Sequence, residues 1–297
     1  MKKRIEKEVK KSLKTLVLSV ILCLILILFI IQLYKSLFIK KPERINLLFL
    51  NQNPTLMSLS TVGESNYYFN LYPDLKLNVP GGYGDYRVGA LVKLSQLEND
   101  SELISRAIEG STFTFLNYYF FPNKVQTYFG KASSSEFDLN LKNIIFNKSN
   151  ASFFDKVYLF IKIVGVQNHN FIKLNAFEKL NNNKDLVFDS ERFSEEYNGL
   201  FFQHTYRDER KSVQILYTNN YNSADIIAKI LESNGIRVVD ISKTDKTDKN
   251  CRVFEKTKKY SITSKDISIY LNCKLVIGDT GISDITIFLG DKEELWK

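Results

Sequence analysis

Eighteen consecutive residues near the N-terminus, 16–33 (LVLSVILCLILILFIIQL), carry no charge, and only Ser19 and Gln32 interrupt their apolar character. At 1.5 Å per residue a helix of that length covers about 27 Å, close to the roughly 30 Å hydrocarbon core of a bilayer. Apolar residues resume at Leu37, Phe38 and Ile39. A cleaved secretion signal has a shorter apolar stretch, roughly 7 to 15 residues, and a small-residue cleavage site that Tyr34, Lys35 and Ser36 do not offer. A helix buried in a soluble core seldom runs so far without a polar face. Residues 15–39 therefore read as a retained transmembrane helix.

The anchor also organises the charge. Of 41 Lys and Arg and 33 Asp and Glu in 297 residues, eleven basic residues lie within 1–44, against only Glu6, Glu8 and Glu43. Thirty of each sign are left, so the +8 of the chain belongs to the flanks of the span. A nucleic-acid partner is not expected, because the body has no cationic excess with which to neutralise phosphates. Seven basic residues precede the span (Lys2, Lys3, Arg4, Lys7, Lys10, Lys11, Lys14) and four follow it (Lys35, Lys40, Lys41, Arg44). That bias places the arm 1–14 in the cytoplasm and the body outside it, as a single-pass protein of the cell membrane. Cys23 lies within the span, which leaves Cys251 and Cys273. Outside the cytoplasm such a pair can form a disulfide; the alternative is two unrelated small buried residues, and spacing does not choose between them.

Beyond the anchor, residues 45–50 (INLLFL) form a continuous apolar run closed by Asn51, Asn53 and Pro54, the pattern of a buried strand. Residues 56–62 and 66–71 read as two further strands, and Pro80, Gly81, Gly82 and Gly84 as a turn. Residues 101–110 read as a helix stopped by Gly110, followed by an aromatic strand over 112–121. Residues 153–166 fit a helix or a strand equally, and 122–210 carry few turn signals. The last third is clearer: strands at 212–217, 236–241, 251–255 and 285–289, a helix at 224–233 capped by Asn222 or Ser223, a helix at 264–272, and a charged linker at 243–249. That is a small βαββαβ unit.

The chemistry-bearing residue types are sparse. His169 and His204 are the only histidines, which rules out a histidine-rich metal site, and neither accompanies a nucleophile-elbow motif. Both read as solvent-facing or structural. Gly81, Gly82 and Gly84 lack the Lys-Ser or Lys-Thr pair and the helix of a phosphate-binding loop.

Two stretches together resemble the LytR-CpsA-Psr (LCP) envelope family joined to a LytR C-terminal domain. The first comprises NPTLMSLS at 53–60, LYPDLKLNVPGGYGDYRVGAL at 71–91 and ENDSELISRAIEGSTFTFLNYYFF at 98–121. The second runs over 212–290, through VQIL, ADIIAKILESNG, IRVVDIS and SDITIFLG. The resemblance implies an α/β architecture in which a degenerate LCP-like domain over 45–210 precedes a LytR C-terminal-type domain over 211–297. For intact members it implies transfer of a phosphate-linked glycopolymer from a polyprenyl pyrophosphate carrier to peptidoglycan, with arginines and a metal-binding aspartate meeting the pyrophosphate charge.

Asn53 and Pro54 stand where the family has Ser and Asp, and Pro73 stands where it has arginine. Only Asp74, and Arg87 in place of a lysine, match in chemistry. The expectation is therefore a non-catalytic binding or scaffold protein without a cofactor. Its partners would be the membrane together with a cell-wall glycopolymer, a polyprenyl lipid or an envelope protein. The alternatives are an active, Mg²⁺-using transferase, which would need another arginine such as Arg106 or Arg207 beside Asp74, and a transcriptional attenuator.

Overall fold

The computed structural model describes residues 2–130, 141–166, 171–181, 184–245, 249–257 and 259–297, with the backbone alone for 2–15. The chain opens with helix α1 (Lys2–Lys35) and a short α2 (Leu37–Lys40). Within α1, Leu16–Lys35 is a 20-residue stretch of mean hydropathy 3.2, long and apolar enough to cross a membrane. Its apolar side chains face outward rather than into the fold.

Strands β1 (Arg44–Phe49), β2 (Thr55–Ser60) and β3 (Asn66–Asn70) follow as an antiparallel meander. Then come β4 (Lys76–Val79), β5 (Gly84–Arg87), α3 (Leu91–Leu97), α4 (Leu103–Thr112) and β6 (Tyr118–Phe121). The stretch with few turn signals contains α5 (Lys142–Phe146), β7 (Lys148–Ser149), α6 (Phe153–Val164), β8 (Phe171–Lys173), β9 (Glu178–Leu180), β10 (Leu186–Phe188), α7 (Ser190–Glu196) and α8 (His204–Glu209). Among the described residues these strands form one sheet in the order β7-β6-β1-β2-β3-β8 and another in the order β5-β4-β10-β9.

Every residue of β1 is buried because both faces of its sheet are covered. Ile45, Leu47 and Phe49 point into a cluster with Leu37, Tyr158 and Leu159, while Leu48 joins Leu91, Leu103 and Ile108 on the other face. Alternation of side chains along a strand, with apolar cover on each side, is what makes INLLFL apolar at every position but Asn46, whose Nδ2 donates to the Phe115 carbonyl at 2.7 Å.

The last third forms a separate sheet in the order β12-β11-β15-β13-β14. Its elements are β11 (Ser212–Tyr217), α9 (Tyr221–Ser233), β12 (Arg237–Lys243), β13 (Arg252–Glu255), α10 (Ile262–Tyr270), β14 (Lys274–Ile277), β15 (Ile285–Phe288) and a terminal α11 (Lys292–Leu295). Two parallel βαβ crossovers, β11-α9-β12 and β13-α10-β14, flank β15, which runs parallel to β11 and antiparallel to β13. The unit is thus βαββαββα rather than βαββαβ. The extra strand KLVI is four residues long, too short to show a period, and follows directly on the helix stop at Asn272, whose φ is 51°.

Other elements differ from expectation for local reasons. Gly110 does not stop its helix: α4 continues to Thr112 and ends where Phe113 takes a left-handed φ of 51°. The glycine lets Pro80 pack closely, since a Cβ there would stand 3.0 Å from the Pro80 ring, tighter than ordinary contact. The aromatic strand is accordingly confined to β6. The open choice at 153–166 falls to helix, started by a capping box in which Ser152 and Asp155 bond each other's backbone N–H. Helix α9 starts three residues early, with Asn220 as its cap; Asn220 Oδ1 accepts from the Ser223 N–H at 3.3 Å. His169 and residues 246–248 of the charged linker lie outside the described residues.

Cys251 and Cys273, at the starts of the paired strands β13 and β14, are joined by a disulfide with Cα atoms 4.9 Å apart. The bond closes a loop with a sequence separation of 22 around α10, and a loop of that size restricts the unfolded chain by about 2 to 4 kcal/mol. Replacing both residues by alanine should lower the denaturant midpoint and steepen the transition, because the freed unfolded chain exposes more surface. An unchanged midpoint would mean that the bond does not constrain the unfolded chain.

Candidate functional site

The hairpin β4–β5 brings Asp74 and Arg87 together. Asp74 lies just before β4 and Arg87 ends β5, and Arg87 Nη1 is 3.5 Å from Asp74 Oδ1. The other carboxylate oxygen accepts the Gly130 N–H at 3.0 Å, and the guanidinium lies 4.5 Å over the ring of Phe129. Both oxygens of Asp74 are therefore committed, one to a cation and one to the backbone. A Mg²⁺ ion, which is held by one or two carboxylates with waters completing its octahedron, would have to share Asp74 with Arg87 or displace it.

Arg106 and Arg207 are engaged elsewhere. Arg106 pairs with Asp100 and with Glu102, and Arg207 lies 4.8 Å over the ring of Phe202. His204 is exposed, with Nε2 2.6 Å from Glu64 Oε1, a contact that raises the imidazole pKa above its ordinary value.

A larger feature lies between the segment that follows α1, α4, and the C-terminal sheet's helices: a cavity of about 840 Å³. One wall comes from Leu37 to Glu43 of that segment. Helix α4 contributes Glu102, Arg106 and Glu109, spaced by four and three residues so that they share a face. α8 adds Tyr206, α10 adds Asp266 and Tyr270, and the C-terminus adds Lys292 and Trp296. Apolar and aromatic walls with a few converging polar groups, in a volume of this size, make a ligand site of ordinary dimensions.

Its electrostatics are set by burial. Glu109 accepts the Leu116 N–H at 2.8 Å and the Tyr270 hydroxyl at 3.1 Å. Desolvation nevertheless outweighs these bonds and the nearby Arg106, and pushes the Glu109 carboxyl up to about 7. Burial pushes Asp266 up as well, although Tyr206 donates to it at 3.0 Å. The Tyr270 hydroxyl is raised well above 10, first by burial and then by Glu109. The Nε of buried Arg106 has no hydrogen-bond partner among the described residues. Four cations, Lys40, Lys41, Arg106 and Lys292, face Glu43, Glu102, Glu109 and Asp266 across the lining. Protonation of Glu109 removes one negative charge from the lining and so shifts it towards accepting an anionic group.

Sequence reasoning reached Asp74 and Arg87 and missed Glu109, Tyr270 and Trp296 as cavity residues. Their only local signal was the face shared by Glu102, Arg106 and Glu109 on a helix that otherwise reads as apolar.

No protein-family model matches the sequence, and no curated protein matches it. Among solved structures, the chain is similar to TagV of B. subtilis (9% identity, TM-score 0.35, covering 52% of this chain and 94% of that one). It is similar also to TagT of B. subtilis (12% identity, TM-score 0.35, 52% and 88%). A third is YwtF (TagT), described as a LytR-CPS2A-psr family protein with bound octaprenyl pyrophosphate lipid (12% identity, TM-score 0.34, 52% and 87%).

The raised pKa of Glu109 has a signed consequence. The unfolded chain releases this proton near 4.5 and the folded chain near 7, so the folded state binds the proton more tightly between those values. The contribution of Glu109 to stability is therefore greatest below about pH 4.5, falls as pH rises towards 7, and levels off above it. Glu109→Gln should flatten that segment of the stability–pH curve in urea titrations. An identical slope in the variant would remove Glu109 as its source.

Proposed function

We propose that this chain is a single-pass membrane protein of the cell envelope, with its N-terminus in the cytoplasm, whose extracytoplasmic body binds an anionic amphiphile without catalysing its transfer. The observation that carries this reading is the position of the cavity: its wall begins at Leu37, two residues beyond the apolar stretch ending at Lys35. A ligand drawn from the adjacent leaflet would meet apolar and aromatic walls first, and Lys40, Lys41 and Lys292 would meet its charge. The sequence resemblance to the LCP family implies the ligand class, a polyprenyl pyrophosphate or the glycopolymer that it carries. The unit over 211–297 is then a LytR C-terminal-type domain that supplies the far wall.

The non-catalytic part of the reading is supported by the commitments of Asp74 and by the absence of Arg106 and Arg207 from its contacts. An active transferase would need guanidinium groups free to take up the leaving pyrophosphate.

Trp296 is the one tryptophan in the chain and lies on the cavity wall, so its emission reports directly on occupancy. Titrating the full chain in nanodiscs with a polyprenyl pyrophosphate should change that emission saturably, and adding Mg²⁺ should release no phosphate or pyrophosphate. No saturable change would defeat the binding reading. Mg²⁺-dependent hydrolysis of the pyrophosphate that is lost in Asp74→Ala would instead defeat the non-catalytic reading.

A further inference from the structure

Helix α6 is apolar on two faces. Phe154, Tyr158, Leu159 and Ile163 are buried, the last three of them in the cluster that includes Ile45 and Leu47. On the opposite side Phe153, Phe160, Ile161 and Val164 are exposed by 69%, 36%, 57% and 55%. At 100° per residue these four positions fall within an arc of about 100°, the width of the stripe by which a helix normally packs onto an apolar partner. Here the stripe points out of the fold, and contiguous exposed apolar surface of this kind marks an interaction site.

The position of α6 identifies what covers it. The ring of Phe154 meets that of Phe29, inside the anchor, edge to face at 4.7 Å. Phe29 precedes Lys35 by six residues, about 9 Å along the helix axis. The start of α6 therefore lies beside the last turns of the apolar stretch rather than beyond them. Two more contacts keep it there: the Leu37 N–H donates to Asp155 at 2.8 Å, and Phe38 packs edge to face on Tyr158 at 5.2 Å. Phe153, at the head of the outward stripe, packs edge to face on Phe154 at 5.8 Å, so the stripe begins beside the exposed apolar surface of α1. Lys35, Lys40 and Lys41, all exposed at the same junction, stand where lipid headgroups would be, the arrangement of a helix lying in a membrane interface.

We infer that α6 is a second, monotopic membrane contact: its Phe153–Phe160–Ile161–Val164 face enters the acyl-chain boundary of the leaflet on the body's side, so that anchor and α6 together seat the body on the bilayer. This rests on the reading of α1 as a membrane span. It requires the cavity wall at Leu37–Glu43 to be held at the membrane surface instead of swinging on a tether.

Depth-dependent fluorescence tests it in the full chain reconstituted into vesicles of phosphatidylethanolamine and phosphatidylglycerol. An environment-sensitive label is placed in turn on native Cys23, and, in a Cys23→Ser background, on Ile161→Cys, Val164→Cys and Ile282→Cys, the last being a body residue 80% exposed. Vesicles carrying doxyl-labelled acyl chains should quench most of the emission from the labels at 23, 161 and 164, and little of that from 282. Quenching at 23 with 161 and 164 behaving like 282 would overturn the inference while leaving the anchor intact. No quenching at 23 would overturn the anchor itself and the inference with it. A blue-shifted label at 161 that lipid-borne quenchers do not reach would assign the face to a second copy of the chain and overturn the membrane contact.

Discussion

The Leu37 N–H donates to the buried carboxylate of Asp155 at 2.8 Å, and the placement of the folded body beside its anchor depends on that bond. The second oxygen of Asp155 accepts from the Ser152 hydroxyl at 2.7 Å and holds the first turn of α6. One side chain thus ties the residue that follows the anchor to the helix that covers the first sheet. Leu37 itself is buried in the cluster beneath that helix. Removing the carboxylate would leave a buried N–H without a partner, a loss of about 1 to 3 kcal/mol. With only Ser36 between α1 and α2, and three residues between α2 and β1, the connection has little slack. The cavity wall and the outward stripe of α6 inherit their positions from it.

A second polar element couples the two halves of the body. Glu109, on α4, accepts from Leu116 within its own half and from Tyr270 of the C-terminal sheet's helix. The ring of Tyr270 lies 4.3 Å from that of Phe115, and Phe113 and Phe115 belong to the C-terminal core cluster. A buried carboxyl is a poor source of stability, because apolar packing in the same space would avoid its desolvation. Its effect is to keep a titratable group on the wall of a cavity, next to a guanidinium whose Nε has no partner. That is the position in which it can bias the cavity towards an anionic ligand as pH falls.

Much of the architecture was readable from local pattern. The run of eighteen residues shows by its length, INLLFL by its apolar content and the turn residues that close it, and α9 with its flanking strands by ordinary βαβ alternation. The failures share a cause. β8, β9 and β10 are three residues each and β14 is four, so no period emerges and only their partners define them. Gly110 carried the signal of a helix stop, but its function is to admit the Pro80 ring, a contact set by tertiary packing. α6 was ambiguous because it is apolar on both faces, which hides the helical period that a half-buried helix would display.

The candidate site divides along the same line. Asp74 and Arg87 are thirteen residues apart in one hairpin, near enough for their pairing to follow from local structure. The Glu109–Tyr270 bond spans 161 residues and the Leu37–Asp155 bond spans 118, and no local pattern carries information across such separations. Sequence alone determined that the chain has a helix fit to cross a membrane, where its positive charge resides and that its body is mixed α/β, because hydropathy, charge and periodicity are properties of neighbouring residues. Tertiary structure alone decided that a cavity forms at the anchor's foot, that Glu109 is buried on its wall and that one face of α6 is left turned outward, because each of these depends on which distant surfaces pack together and which remain uncovered.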